Sequence, residues 1–168
     1  MVVETLKILD SWYKEPSVGG DQPKLVSKMA TLELCGWIEE EFDRLVLEVA
    51  KGRLNDSDWL KKKVLDVANG FQYENHFRRM LCAIIGEIFA RRIEEKMNEK
   101  HPGECDQLRS MLGELWKTRC NLAHADIEAN VAAQQTFNAP SWAINQHGIL
   151  AAIIGHYETV MLEVIAGI

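Results

Sequence analysis

"LVSKMATLELCGWIEEEFDRLVLEVA", residues 25–50, decides the fold. Met29, Leu32, Leu34, Cys35, Ile38, Phe42, Leu45, Val46 and Val49 recur along it at steps of three and four. That is the repeat of an α-helix with one apolar side, since about 3.6 residues make a turn. Upstream, Asp21 offers an N-cap and Pro23 stands near the first helical position, where a missing N–H costs nothing. Downstream, "KGRLNDS" (51–57) interrupts the pattern.

Other segments read the same way. Residues 2–13 form a short helix, closed by Pro16 and the Gly19-Gly20 pair. Asp56 or Ser57 caps a helix through about Asn69, stopped by Gly70. A second long helix runs from about Tyr73 to Lys100, with Phe77, Leu81, Ile84, Ile85, Ile88, Phe89 and Ile93 on its apolar side, and "HPGE" ends it. Leu108, Met111, Leu112, Leu115 and Trp116 mark the next helix. A polar stretch with Asn130, Gln134, Gln135, Asn138 and Pro140 follows, and Ser141 caps a last helix to the C-terminus. No stretch alternates as a strand does. The expected fold is all-α: a single domain, an antiparallel bundle of four or five helices. "LCAIIGEIF" (81–89) echoes "LAAIIGHYE" (150–158). Ala83, Gly86, Ala152 and Gly155 would let helix backbones approach closely in the core or a dimer, offsetting the ~1 kcal/mol that Gly costs inside a helix.

The 168 residues suffice for one domain with a real core, and 47% hydrophobic with 26% charged residues is a globular composition. No apolar run approaches the roughly 20 residues of a membrane span. The N-terminus "MVVETLKILD" lacks the basic start of a signal peptide, so the expected location is cytoplasmic. A net charge of −6 argues against broad nucleic-acid binding. Residues 60–96 are nevertheless locally basic, and their cations read as a solvated face of mixed pairs rather than a polyanion site.

Signatures of phosphate loops, nucleophile elbows, zinc proteases and calcium loops are missing. Cys35, Cys82, Cys105 and Cys120 form no CxxC pair. His101 and Cys105 flank a Pro102-Gly103 turn, so no metal and no cofactor is expected there or elsewhere. Glu39, Glu40, Glu41 and Asp43 lack a matching histidine and read as a solvated helix face. His76, His147 and His156 each stand alone on a helix and read as satisfied or exposed side chains.

"KTRCNLAHAD" (117–126) is different, because it holds Arg119 and His124 in one short segment. Five residues of α-helix turn through roughly 500°, which leaves the pair about 140° apart. A bend near Asn121, which disfavours helix continuation, would unite them. So would a second copy of the chain.

The Arg119-x4-His124 spacing, with "MLGELWKT" before it and the "NLAH" context, resembles the signature of the HEPN superfamily, an all-α group. "SKMATLELCGWIEE" (27–40) resembles the first long helix of its RiboL-PSP subgroup. In element order the likeness covers about residues 24–165. It implies a metal-independent endoribonuclease, a toxin or defence effector that dimerises so that both motifs line one cleft, restrained by an antitoxin or other regulatory protein. By that likeness His124 is the acid/base and Arg119 stabilises the phosphorane, while Lys117, Asn121 and Cys120 contact the RNA substrate. The position after the arginine is often asparagine in the family, and here it is Cys120. A non-catalytic HEPN-like dimer that binds RNA or a protein is the alternative.

Overall fold

The structure, a computed structural model, describes residues 2–15, 19–51, 54–123 and 137–167. Among these residues every regular element is helical: α1 (Val2–Lys14), α2 (Gln22–Ala50), α3 (Ser57–Leu60), α4 (Arg79–Lys100), α5 (Glu104–Ala123) and α6 (Pro140–Ala166). Two π-helical stretches, Lys61–Leu65 and Tyr73–Arg78, continue α3 and lead into α4. Contacts divide the chain into two units, residues 1–37 with 117–150, and residues 38–116 with 151–168, so that α2, α5 and α6 each contribute to both.

In the first unit Leu6 and Leu9 of α1, Ala30, Leu34 and Cys35 of α2, Leu122 of α5, and Ala143 and Leu150 of α6 are buried. Thr31 is also buried, and it satisfies its hydroxyl on the Ser27 carbonyl at 3.1 Å. Trp37 lies against His147 with ring centroids 4.2 Å apart, so His147 is packed rather than solitary.

In the second unit the core is aromatic. Phe42 of α2 stacks on Phe77 at 4.1 Å, and Phe77 meets Tyr157 of α6 at 5.3 Å. A polar network runs beside these rings. The Tyr73 hydroxyl donates to Glu94 Oε1 at 2.8 Å, and the same oxygen takes Arg78 Nε and Arg109 Nη2, each at 3.0 Å. A carboxylate only accepts, so the Tyr73 proton is committed, and Tyr157, 3.0 Å away, must donate to the Tyr73 oxygen. Burial first, then each other's proximity, pushes the Tyr73 hydroxyl far up; burial does the same to Tyr157, so both stay protonated. The pairing of Glu94 with Arg109 across the tight turn between α4 and α5 makes those helices an antiparallel hairpin.

Several expectations need correction. α3 keeps its Asp56 cap, whose carboxylate accepts from Trp59 N–H at 2.8 Å, but it passes into a π turn and ends at Leu65 rather than Asn69. α6 starts at Pro140, so Ser141 lies inside its first turn instead of capping it. Gly86 does not serve close packing: its φ of 78° and ψ of 162° break α4, and a Cβ there would meet nothing. Next to that break the expected apolar side is interrupted, with Ile88 79% exposed, while Phe77, Leu81 and Ile93 are buried as expected. Met29 of α2 is exposed as well. Asp43 is not fully solvated: burial, with Glu39 and Asp66 nearby, raises its carboxyl above the ordinary range. By length and composition alone α6 would suffice to cross a membrane, which the broken apolar runs had hidden; yet Ile153, Ile154, Tyr157, Val160, Met161 and Ile165 are buried within the chain.

Gly70 sets the approach to the second π stretch. Its φ is +144°, and a Cβ would lie 2.6 Å from the Trp116 ring and 2.9 Å from the His76 ring. Gly70→Ala is expected to cost about 1–3 kcal/mol from backbone strain alone, with the overlap adding to it. Urea denaturation checks this; an unchanged midpoint would refute the close approach.

Candidate functional site

α5 continues through Asn121 to Ala123, so of the ways left open for uniting Arg119 with His124 a bend at Asn121 itself is not the one taken. Leu115 and Leu122, seven residues apart, are both buried and mark the inner side of this segment. Arg119 lies within about 60° of that stripe on either count, and it is half-buried. Lys117 and Asn121 share the opposite, exposed side. A helix therefore places these two roughly 160° from Arg119, and Cys120, also half-buried, roughly 100° from it. His124 lies outside the described residues. Lys117, Arg119, Cys120 and Asn121 thus occupy the last turns of one helix, but Lys117 and Asn121 do not converge with Arg119.

In the locally basic segment Lys62, Arg78, Arg91 and Lys96 enter ion pairs, and neighbouring cations outside it do the same. Arg78 forks onto Glu87, with Nη2–Oε1 at 2.6 Å and Nη1–Oε2 at 3.0 Å, while its Nε serves Glu94. Lys96 and Lys100 both meet Glu163. Arg44 of α2 makes a fork of 2.7 and 2.9 Å with Glu158 of α6. A planar guanidinium matches a carboxylate in this way, and no charge remains on such a pair to hold RNA phosphates.

Beside Arg78 opens a cleft of about 530 Å³ lined by Val67, Glu74, Asn75, His76, Arg78, Arg79, Cys82 and Glu87. Glu74, Arg78, Cys82 and Glu87 are already engaged with one another. The His76 ring accepts the Gln72 N–H on Nδ1 at 3.1 Å, which leaves the proton of the neutral ring on Nε2, and it packs on Trp116 at 5.3 Å. The Cys82 thiol donates to Glu87 at 3.3 Å. Burial and that bond push the thiol up, which disfavours the nucleophilic thiolate. The arrangement suits a closed charge network better than catalysis.

Sequence reasoning missed a third grouping. His101, Glu104 and His156 bring metal-ligating atoms within 4.8 Å of one another. His156 is not solitary, since its Nδ1 lies 2.9 Å from Glu104 Oε2. The i,i+3 pair in "HPGE" was readable; the third member, on another helix, was not. Compared with protein-family models, curated proteins and solved structures, the chain matches none of them.

The Arg78 fork has a pH signature. It holds Glu87 down at about 2, with Arg78 as the main cause and Cys82 second. A depressed carboxyl contributes stability that is present above its ordinary value and lost as pH falls through the folded one. The pairing should therefore persist through pH 4 and disappear near pH 2. In an NMR titration the Glu87 carboxyl should move back toward 4.5 in Arg78→Ala; an identical midpoint in both proteins would refute the fork.

Proposed function

We propose that this protein is a metal-independent endoribonuclease of the HEPN type, a toxin or defence effector acting in the cytoplasm. The observation that carries the reading is the Arg119-x4-His124 spacing in its "RCNLAH" context. The all-helical fold and the half-buried position of Arg119 near the end of α5 support it.

The chemistry follows from the two side chains. The ribose 2′-oxygen attacks the adjacent phosphorus and gives its proton to a base, while the departing 5′-oxygen takes a proton. The products are a 2′,3′-cyclic phosphate and a free 5′-hydroxyl, with no water consumed. Histidine exchanges protons near neutrality because its ordinary pKa is about 6.5. The arginine fork matches the phosphorane oxygens and offsets the charge that builds on them. In the proposed active form, an antiparallel HEPN-like bundle of four to five helices pairs with a second copy, so that both motifs line one cleft. The exposed Lys117 and Asn121 would touch RNA from outside that centre, and an antitoxin or regulator would cover it.

Cys120 favours a second reading, a non-catalytic HEPN-like dimer that binds RNA or a protein, because asparagine is frequent at that position in the family. Purified protein incubated with RNA in EDTA separates the two. Cleavage that leaves a cyclic phosphate, reduced ~10²–10⁴-fold in both Arg119→Ala and His124→Ala, is expected. Equal cleavage by all three proteins would refute the assignment. Salt-sensitive RNA binding without cleavage would select the second reading.

A further inference from the structure

The turn that joins α4 to α5, "HPGE" (101–104), does more than stop a helix. His101 leaves helical geometry at φ −133° and ψ 70°, and Gly103 takes φ +84°. The Glu104 N–H closes back on the His101 carbonyl at 3.2 Å. Proline second, a left-handed glycine third and a bond from fourth to first residue are the marks of a type II turn. The turn brings its end residues together, with His101 Nδ1 3.9 Å from Glu104 Oε1. α6 supplies the third group: His156 Nδ1 lies 3.2 and 2.9 Å from the two Glu104 oxygens. The His156 ring stacks on His101, with centroids 4.1 Å apart and planes 8° from parallel.

We propose that His101, Glu104 and His156 form a three-ligand site for a transition-metal dication of the zinc class. Two imidazoles and a carboxylate make a donor set that suits zinc and its neighbours, whereas calcium and magnesium prefer oxygen alone. An ion held at about 2.0–2.2 Å by each ligand sets neighbouring donors about 3–3.5 Å apart. The observed 2.9 and 3.9 Å bracket that spacing. Closing onto an ion asks the two stacked rings to turn out of parallel so that their lone pairs converge, and the side chains are accessible enough to turn: His101, Glu104 and His156 are 27%, 25% and 45% exposed.

The surrounding structure holds the ligands ready. Lys96 and Lys100 in the last turns of α4 both grip Glu163, two turns beyond His156 on α6, at 2.9 and 2.7 Å. A metal at this point would tie the α4–α5 turn to α6, linking positions distant in sequence through one ion. Three protein ligands leave a fourth tetrahedral position to water or another donor. The inference does not rest on the ribonuclease reading, which calls for no metal.

The test uses the untagged full chain, stripped with EDTA and desalted, then titrated with Zn²⁺ by calorimetry. Saturable binding of one ion per chain is expected, with a rise in melting temperature. His101→Ala, Glu104→Gln and His156→Ala should each weaken binding at least ~10-fold, while His147→Ala should not. Circular dichroism establishes that each variant is folded. Co²⁺ added to the wild-type chain gives a readout independent of any variant: ligand-field bands of a low-symmetry nitrogen–oxygen site, without sulfur charge transfer. No saturable binding would overturn the proposal. So would full affinity in the His101 and His156 variants, or a sulfur charge-transfer band pointing to Cys105.

Discussion

One carboxylate oxygen organises the second unit. Glu94 Oε1 receives a tyrosine hydroxyl and two guanidinium groups, and its side chain is only 15% exposed. The donors come from the π stretch before α4 and from α5, and through Tyr157 the network reaches α6. Such a network contributes little net stability compared with apolar packing, because desolvating the charges offsets their attraction. It does penalise any arrangement of the helices that leaves one arginine or the carboxylate unpartnered. Arg109 is held in addition over the Tyr73 ring at 4.6 Å, which fixes the guanidinium plane that Glu94 needs.

The same accounting explains why the charged cleft beside Arg78 is a poor candidate for chemistry. Around Arg78 every strong cation–anion contact ends on another side chain of the same network. A reactive centre needs a group whose hydrogen-bonding capacity the fold leaves for a substrate. His101 and His156 stack face to face, the Nδ1 of each lies beside the Glu104 carboxylate, and the two side chains are 27% and 45% exposed.

Helices were legible in the sequence where burial followed a 3.6-residue period. Ile38, Phe42, Leu45, Val46 and Val49 are all buried as their spacing in α2 demands. Legibility failed where the backbone left that period. Nothing in "KKKVL" or "YENHFR" marks a π turn, and Gly86 reads as a packing glycine until its positive φ is known. Of the candidate site, the position of Arg119 on a helix was readable from "LGELWKTRC", and so was the two-residue separation that turns Lys117 and Asn121 away from it. The convergence of His156 on the "HPGE" turn was not, because it depends on how α6 returns to the hairpin rather than on any local spacing.

The π stretch at 73–78 carries a geometric lesson. A π turn advances by roughly 80° per residue instead of 100°, so residues five apart lie roughly 40° from one another rather than 140°. Tyr73 and Arg78 have that separation, and both reach the same oxygen of Glu94. Arg119 and His124 are also five apart. In this chain, then, one wide helical turn closes a gap of five residues at 73–78, whereas α5 is α-helical from Arg119 through Ala123 and offers no such turn.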